Sequence, residues 1–204
     1  MKVMKFGGTS VGSVNGILSV KKIVEAQQEP VIVVVSALSG ITDQLYTTAR
    51  MASEGNTEYT LEYQTMLARH TEIIETVIPE HKIQPVLEEI RLLFNDLSNI
   101  LRGVYLIKDM SPKIIDSIVG YGESISSIII ANAIENAIHF DSRKIIKTNH
   151  QFDKHVVDFA NTNVLIRDMF STAPKVSVCG GFISTDSQTN FVTNLGRGGS
   201  DYTA

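Results

Sequence analysis

The run Val31–Val35 constrains the fold of this chain more than any other stretch. It consists only of β-branched residues, which favour strands, and its lack of polar alternation indicates a sheet that is covered on both faces. A second strand is predicted at Lys2–Phe6, and Ser13 between them fits the N-cap of a helix that continues to Gln28, before Pro30. This β-α-β unit, with the right-handed crossover expected of it, predicts an α/β fold with a mainly parallel sheet.

The segment from Asp43 to about Lys108 has helical rather than strand periodicity. Apolar positions repeat on two faces, first at Tyr63, Leu67, His70, Ile74 and Val77, and then at Leu87, Ile90, Phe94, Leu97 and Leu101. Pro79 and Pro85 bracket a predicted break between the two patterns. We expect two helices that pair as an antiparallel hairpin and pack on the core. A coiled coil that binds a partner is the alternative.

The pattern after Ser111 mixes helices and strands. A helix that starts at Pro112 is predicted to be interrupted at Gly120–Glu123, which places Glu123 at the N-terminus of a second helix, apolar nearly all round. The remaining predictions are strands at Ile138–Phe140, Lys144–Lys147, Lys175–Cys179 and Phe191–Thr193, a helix at Asn161–Phe170 and a polar loop at Ser184–Asn190.

Composition excludes several classes of protein. The 204 residues carry a net charge of −4, which does not suggest a nucleic-acid partner, and no uninterrupted apolar run is long enough to cross a membrane. The single cysteine, Cys179, cannot form a disulfide framework, so we expect a cytoplasmic protein. No metal site on protein side chains is predicted, because no paired ligand spacing connects the five histidines, His70, His81, His139, His150 and His155.

Small-residue loops at the two ends of the chain are the best candidates for function. Lys5–Gly12 follows the first predicted strand, and Leu195–Ala204 combines glycines with Arg197, Ser200 and Asp201. Glycines let backbone N–H groups approach an anion, and a guanidinium matches a carboxylate or phosphate. A single such loop is more often an ordinary surface turn. Two of them, each beside a predicted strand, indicate a binding site at the carboxyl ends of the strands.

The chain resembles aspartate kinase, in the amino-acid kinase superfamily. Five strings carry the resemblance and occur in the family's order from end to end: Lys5–Ser10, Val35–Asp43, Gly122–Glu123, Gly181–Ile183 and Leu195–Thr203. The resemblance implies a three-layer α/β/α sandwich with a helical insertion at about residues 44–118. The insertion resembles the branch with lysine- or threonine-sensitive enzymes and fusions to homoserine dehydrogenase. Residues 1–204 would be the N-terminal portion of the catalytic domain, without the C-terminal ATP-binding part and the regulatory domain.

The activity that the resemblance implies is phosphoryl transfer from ATP to the β-carboxylate of L-aspartate, which gives 4-phospho-L-aspartate, the first step of lysine, threonine and methionine biosynthesis. Mg²⁺ would accompany ATP and be held mainly by its phosphates. The parent enzyme would be a homo-oligomer, and the chain alone would be inactive. The alternatives are a non-catalytic amino-acid-binding or regulatory module, or another kinase of the superfamily acting on glutamate, carbamate or UMP.

The resemblance also implies roles on the phosphate side of the site. Lys5 would stabilise charge on the transferring phosphoryl group, and Asp201 would orient Lys5 and the substrate. Gly7, Gly8 and Thr9 would bind phosphate with Lys5. Phosphoryl transfer depends on positioning and charge neutralisation, which these residue types supply.

On the aspartate side, the resemblance makes Arg197 the clamp of a substrate carboxylate. Glu123 would meet the α-ammonium group or hold Arg197 in position. Ser36 and Thr42 would donate hydrogen bonds to aspartate, beside Ser200, although turn and capping duty is an alternative for the first two. Two positions depart from the family pattern. Asn194 stands where threonine is frequent, and Ser184 where glycine is frequent.

Overall fold

The computed structural model describes residues 1–151, 154–172, 174–196 and 198–204. The first half contains β1 (Lys2–Phe6), α1 (Gly8–Val11), α2 (Val14–Glu25), β2 (Val31–Val35), α3 (Ile41–Ser53), α4 (Tyr59–Val77), α5 (Glu80–Ile107) and α6 (Pro112–Ala133). The second half contains β3 (Ala137–Phe140), a 3₁₀ turn (Ser142–Lys144), β4 (Lys147–Gln151), β5 (Lys154–Val157), α7 (Phe159–Met169), β6 (Val176–Gly180), β7 (Ile183–Asp186), β8 (Val192–Asn194) and α8 (Gly199–Thr203).

The main sheet has the order β1-β2-β6-β3, and all its pairs are parallel. Val31, Val33 and Val35 of β2 face the large core cluster, which includes one side of α6. Ile32 points to a second cluster on the opposite face, formed around Ile145, Ile146 and Phe170. The sheet is therefore covered on both faces, which is why β2 lacks polar alternation. The predicted α/β class with a mainly parallel sheet is confirmed.

A second, mixed sheet has the order β5-β4-β7-β8 and was not predicted. The predicted strand Lys144–Lys147 is wrong, because the 3₁₀ turn ends at Lys144 and β4 begins only at Lys147. The predicted loop Ser184–Asn190 is also wrong in its first part, which is β7. The reason is a buried chain of hydroxyl groups, in which Thr193 Oγ1 lies 2.8 Å from Ser184 Oγ and 2.9 Å from Thr148 Oγ1. These polar side chains satisfy one another inside the sheet, so no apolar alternation marks the strand.

The helical segment contains three helices instead of the predicted two. The additional helix, α3, packs against α4, α5 and α6. Both predicted apolar faces lie inward, with Leu67 half-buried and the other members buried. Phe94 lies at the centre of this packing, with ring centroids 5.8 Å from Tyr63 and 5.3 Å from His70. Pro79 is the N-cap residue of α5 and so lies at the predicted break between two helices. Pro85, which was predicted to border the same break, lies inside α5. The stripes thus pack within the chain, as the preferred prediction had it.

Helix α6 runs without a break through Gly120 and Gly122, so the predicted interruption is wrong. A Cβ placed on Gly122 would lie 2.8 Å from Ala37 Cβ, which shows that this glycine permits close packing of the helix against the segment after β2. By length and composition α6 is the one candidate for a membrane span among the described residues, but 67% of its apolar window is buried inside the protein. It therefore has the burial of a core helix.

Candidate functional site

A cleft of about 470 Å³ opens at the carboxyl ends of β1 and β2. Its walls come from the turn after β1, the loop between β2 and α3, the middle of α6 and the chain's final segment. Eight of the predicted site residues line it: Lys5, Gly8, Thr9, Ser36, Thr42, Glu123, Ser200 and Asp201. Parallel strands deliver their carboxyl ends to one edge, which brings loops that are distant in sequence together there. Arg197 lies outside the described residues.

Lys5 is the charged group at the tip of β1. Its Nζ lies 2.8 Å from Oδ1 of Asp201, which is in the first turn of α8. The Lys5 side chain is 28% exposed and that of Asp201 70%, so the ion pair faces the open cleft. Gly7 does not line the cleft, but a Cβ there would lie 3.7 Å from Lys5 Nζ, so the glycine sits beside the ammonium group. The Lys5 ammonium group is therefore a positive charge held in place beside a glycine turn, and this arrangement suits an anionic ligand.

The turn after β1 and the loop after β2 are in direct contact. A Cβ on Gly8 would lie 3.1 Å from the carbonyl oxygen of Ala37, and one on Gly12 would lie 2.6 Å from Ser39 Cβ. Arg69 of α4 spans the same junction. Its Nη1 donates to the Ser39 carbonyl and its Nη2 to the Gly12 carbonyl, both at 2.9 Å. Arg69 was not predicted as a site residue, because it lies in a helical pattern far in sequence from either loop.

Ser36 and Ser200 join the second strand to the last helix. Ser36 Oγ donates to Ser200 Oγ at 2.9 Å, and the Ser36 carbonyl accepts from Ser126 Oγ of α6 at 2.7 Å. A Cβ on Gly181 would lie 2.6 Å from Ser200 Cβ, so that glycine makes room for the serine. Two hydroxyl groups are therefore held at the floor of the cleft by contacts from three separate elements.

Glu123 is the buried acid of the site. It is 4% exposed, and its Oε2 has no hydrogen-bond partner within the described part of the chain. Burial raises the pKa of this carboxyl to about 7, although backbone hydrogen bonds from Ala37 and from Glu123 itself pull the pKa down. The predicted position at a helix N-terminus is wrong, because α6 begins eleven residues earlier, at Pro112. A buried carboxylate with a free acceptor on a cleft matches a cationic group of a ligand or of a neighbouring side chain.

Thr42 lies in the first turn of α3, behind Gly40, whose φ of 80° places it in the left-handed region. The same loop contributes Ser39 and Asp43 to the cleft, and these two were not singled out from the sequence. Their signal was present, since both belong to the string Val35–Asp43. Phe182 is a further lining residue, with a φ of 65° and a backbone N–H that donates to Thr203 Oγ1 at 3.2 Å.

The two departures from the family pattern both have local hydrogen-bonding roles. Asn194 donates to Asp116 of α6 and accepts from the Gly196 N–H at 3.1 Å, so it ties the glycine-rich segment to the helix that carries Glu123. Ser184 belongs to the buried hydroxyl chain of the second sheet. No group of three histidine, cysteine or acidic side chains in the described ranges could hold a metal ion.

Known proteins are similar in sequence to this chain over its whole length. The profile of the Amino acid kinase family matches residues 1–204. The chloroplastic bifunctional aspartokinase/homoserine dehydrogenase 2 of Arabidopsis thaliana is 30% identical over 212 residues, covering 99% of this chain and 23% of that protein. Lysine-sensitive aspartokinase 3 of Escherichia coli is also 30% identical, covering 99% of this chain and 44% of that protein.

Solved structures are similar in fold to the whole of this chain. The chain superimposes on E. coli aspartokinase III in complex with lysine and aspartate with a TM-score of 0.86, and on its complex with aspartate and ADP with a TM-score of 0.84. Both are 29% identical, and each match covers 100% of this chain and 45% of the other. The chain thus spans less than half the length of these relatives, and about a quarter of the bifunctional ones.

Proposed function

The chain belongs to the Amino acid kinase family, and on that premise we propose that it forms the aspartate-binding part of an aspartate kinase, which transfers the γ-phosphoryl group of ATP to the β-carboxylate of L-aspartate. The observation that supports this most directly is the shared cleft, in which the Lys5–Asp201 ion pair, the Ser36–Ser200 hydroxyl pair and buried Glu123 line one cavity. Residues 1–204 are, in this proposal, the N-terminal portion of the catalytic domain, and the adenine and ribose are bound outside this range.

The phosphate side of the cleft is assigned to Lys5, Gly7, Gly8 and Thr9. The Lys5 ammonium group neutralises charge that develops on the transferring phosphoryl group, and the backbone N–H groups of the glycine turn lie beside it. Asp201 holds the ammonium group in place through the 2.8 Å ion pair. Because the pair faces the open cleft, the Lys5 ammonium group can bind a phosphate oxygen in place of an Asp201 carboxylate oxygen while it stays accessible to solvent.

The aspartate side is assigned to Glu123, Ser36, Thr42 and Ser200, which line the same cleft. Glu123 receives the α-ammonium group, because a cation supplies a partner for its buried Oε2, which has none among the described residues. The hydroxyl groups donate to the substrate carboxylates. Arg197 keeps the role of carboxylate clamp that the family resemblance implies.

The accompanying Mg²⁺ is assigned mainly to the phosphates of ATP, where it supplies charge neutralisation. A cytoplasmic location and a homo-oligomeric parent enzyme complete the proposal. Cys179, the single cysteine of the sequence, is a free buried thiol, which agrees with the proposed reducing compartment.

A hydroxamate assay tests the activity. The full-length enzyme that contains residues 1–204 is incubated with ATP, Mg²⁺ and L-aspartate, hydroxylamine traps the acyl phosphate, and release of ADP is measured in parallel. The proposal expects trapped product with aspartate but not with glutamate or carbamate, no release of ADP with UMP, whose product is not an acyl phosphate, and loss of product in Lys5→Met. Aspartate binding by calorimetry without any turnover would favour the alternative of a non-catalytic amino-acid-binding module, and turnover with glutamate or UMP would reassign the substrate.

A further inference from the structure

We propose that Arg69 is a positioning residue that fixes the phosphate side of the site against the aspartate side. The phosphate-side loop is defined here as Gly7–Gly12 and the acceptor-side loop as Ser36–Thr42. The inference rests on the proposed function, since it concerns the alignment of two substrates in one reaction. It gives the helical segment between β2 and β3 a role in phosphoryl transfer, through a residue that neither motif contains.

Arg69 bonds one carbonyl from each loop. The Gly12 carbonyl terminates the phosphate-side loop and the Ser39 carbonyl lies in the middle of the acceptor-side loop, each at 2.9 Å from a guanidinium nitrogen. A guanidinium is planar and always charged, so two of its donors in a fixed fork define the separation of the two carbonyls. A lysine at this position is a single point donor and lacks the fork.

At the junction that Arg69 spans, the glycine backbone of the phosphate-side loop packs directly against the acceptor-side loop. Ser39 Cβ lies 2.6 Å from the position that a Cβ on Gly12 would occupy, and Ala37 O lies 3.1 Å from that of Gly8. No large side chain can therefore fill the space between the loops and act as a spacer. The glycines bring the loops together, and the arginine holds them.

Each loop also has an anchor of its own. The phosphate-side loop follows β1 and the acceptor-side loop follows β2, and these strands pair in register from Lys2 with Val31 to Phe6 with Val35. Ser36 is further held by Ser126 of α6. Without the guanidinium, each loop keeps its strand and its ligand-binding groups, and only the placement of one loop relative to the other relaxes.

This separation predicts a specific kinetic signature. Binding of ATP and of aspartate depends on each loop separately, whereas transfer depends on the alignment of the two, and a misplacement of about 1 Å lowers the rate by about 100-fold. Arg69→Ala should therefore lower kcat by about 10- to 100-fold and leave both KM values within about threefold of the wild-type values. Arg69→Lys should lie in between.

The matched control is Arg50→Ala, because Arg50 is an exposed arginine of α3 that pairs with Glu54 on its own helix. It should leave kcat unchanged. All assays are run well below the melting temperature of each variant, so that the folded fraction is the same. Guanidinium ion at millimolar concentration should restore part of the activity of Arg69→Ala and none to Lys5→Met. Wild-type kcat in Arg69→Ala, or a loss that appears only as raised KM values, would overturn the proposal.

Amide hydrogen exchange tests the same contact without activity. Arg69→Ala should accelerate exchange at the amides of Val11 and Ile41, which are bonded within the two loops to Gly7 and Leu38, and leave those of α6 unchanged. If the full-length wild-type enzyme shows no phosphoryl transfer, the proposed function fails, and hydrogen exchange still decides whether Arg69 holds the two loops. Unchanged exchange in both loops would overturn the proposal irrespective of activity.

Discussion

The Lys5 ammonium group lies 2.8 Å from the Asp201 carboxylate, so the first strand and the last helix of the chain meet in one cleft. Ser36 and Ser200 repeat this connection one strand further along the sheet, at 2.9 Å. The kinase interpretation of the sequence requires Lys5, Arg197 and Asp201 to share a cleft; Lys5 and Asp201 do, and Arg197 lies outside the described residues. Separate faces would have removed its physical basis.

Asp201→Asn should impair transfer far more than folding. Asp201 is mostly exposed, and an exposed ion pair contributes about 0–1 kcal/mol to stability. The same change frees the Lys5 ammonium group from its orienting partner, so we expect kcat to fall by at least about 10-fold. Hydroxamate kinetics and thermal unfolding measure the two effects. Asp168→Asn, at an exposed aspartate of α7, is the control and should change neither; equal losses of activity in both variants would contradict the assignment.

Glu123 should make the stability of the protein fall as the pH rises. Its pKa is about 7 in the folded protein and 4.5 in the reference state. The folded state therefore holds the proton more tightly, and stability is lost between about pH 4.5 and 7, by up to about 3 kcal/mol. Glu123→Gln should remove this dependence and be the more stable form at pH 8. Urea unfolding at pH 5 and pH 8 measures it, with exposed Glu72→Gln as the control.

The same carboxyl should govern the binding of aspartate. If its ionised form receives the α-ammonium group, affinity rises as the pH passes through about 7. In Glu123→Gln the affinity should be low and independent of pH over this range. Calorimetry from pH 6 to pH 8 measures both proteins. A parallel rise in the variant would assign the pH dependence to another group.

His70 should make the protein sensitive to acid. It is fully buried between Met66 and Phe94, and burial lowers its pKa from 6.5 to about 4. The unfolded state therefore binds the proton first, and stability falls as the pH drops from 6.5 towards 4, by about 3 kcal/mol at most. His70→Leu should remove that slope, whereas His81→Gln, at an exposed position, should retain it. Urea unfolding midpoints, measured at pH 4.5 and pH 7, test this dependence of stability on pH.

Two helical glycines should respond in opposite directions to the same substitution. Gly122→Ala places a methyl group 2.8 Å from Ala37 Cβ and should destabilise the protein by about 1–3 kcal/mol, while displacing the acceptor-side loop. Gly103 of α5 has nothing within 4 Å of the added methyl group, so Gly103→Ala should stabilise by about 0.5–1 kcal/mol. Denaturant unfolding compares them. Equal effects would show that Gly122 is not a packing constraint.

The sequence predicted those parts of the fold whose pattern reflects simple burial. The prediction was correct for the strand Val31–Val35 and for the apolar helix faces that contain Tyr63 and Phe94. Each of these elements buries apolar side chains at its own structural period. The strand at Ile183–Asp186 was missed, since its buried Ser184 is paired inside the sheet with the Thr193 hydroxyl group and leaves no apolar alternation. Gly120 and Gly122 suggested a break for the opposite reason: a glycine that permits close packing looks in the sequence like one that ends a helix.

The site divides in the same way. Lys5, Ser36 and Asp201 could be found because Lys5 lies near the end of β1, Ser36 directly follows β2, and Asp201 belongs to the glycine-rich final segment, and a parallel sheet collects its ligands at such ends. Arg69 could not, because its partners are the backbone carbonyls of Gly12 and Ser39, and any residue has a carbonyl. Contacts of a side chain with a distant backbone leave no residue type by which a motif could be recognised.

The solitary thiol of Cys179 has a practical consequence. It is buried in β6, and its pKa of about 11 keeps it protonated and slow to react with alkylating reagents while the chain is folded. A maleimide dye would therefore label only molecules in which the central sheet has opened. The chain thus carries its own reporter of unfolding, which can be read on a gel of the purified protein.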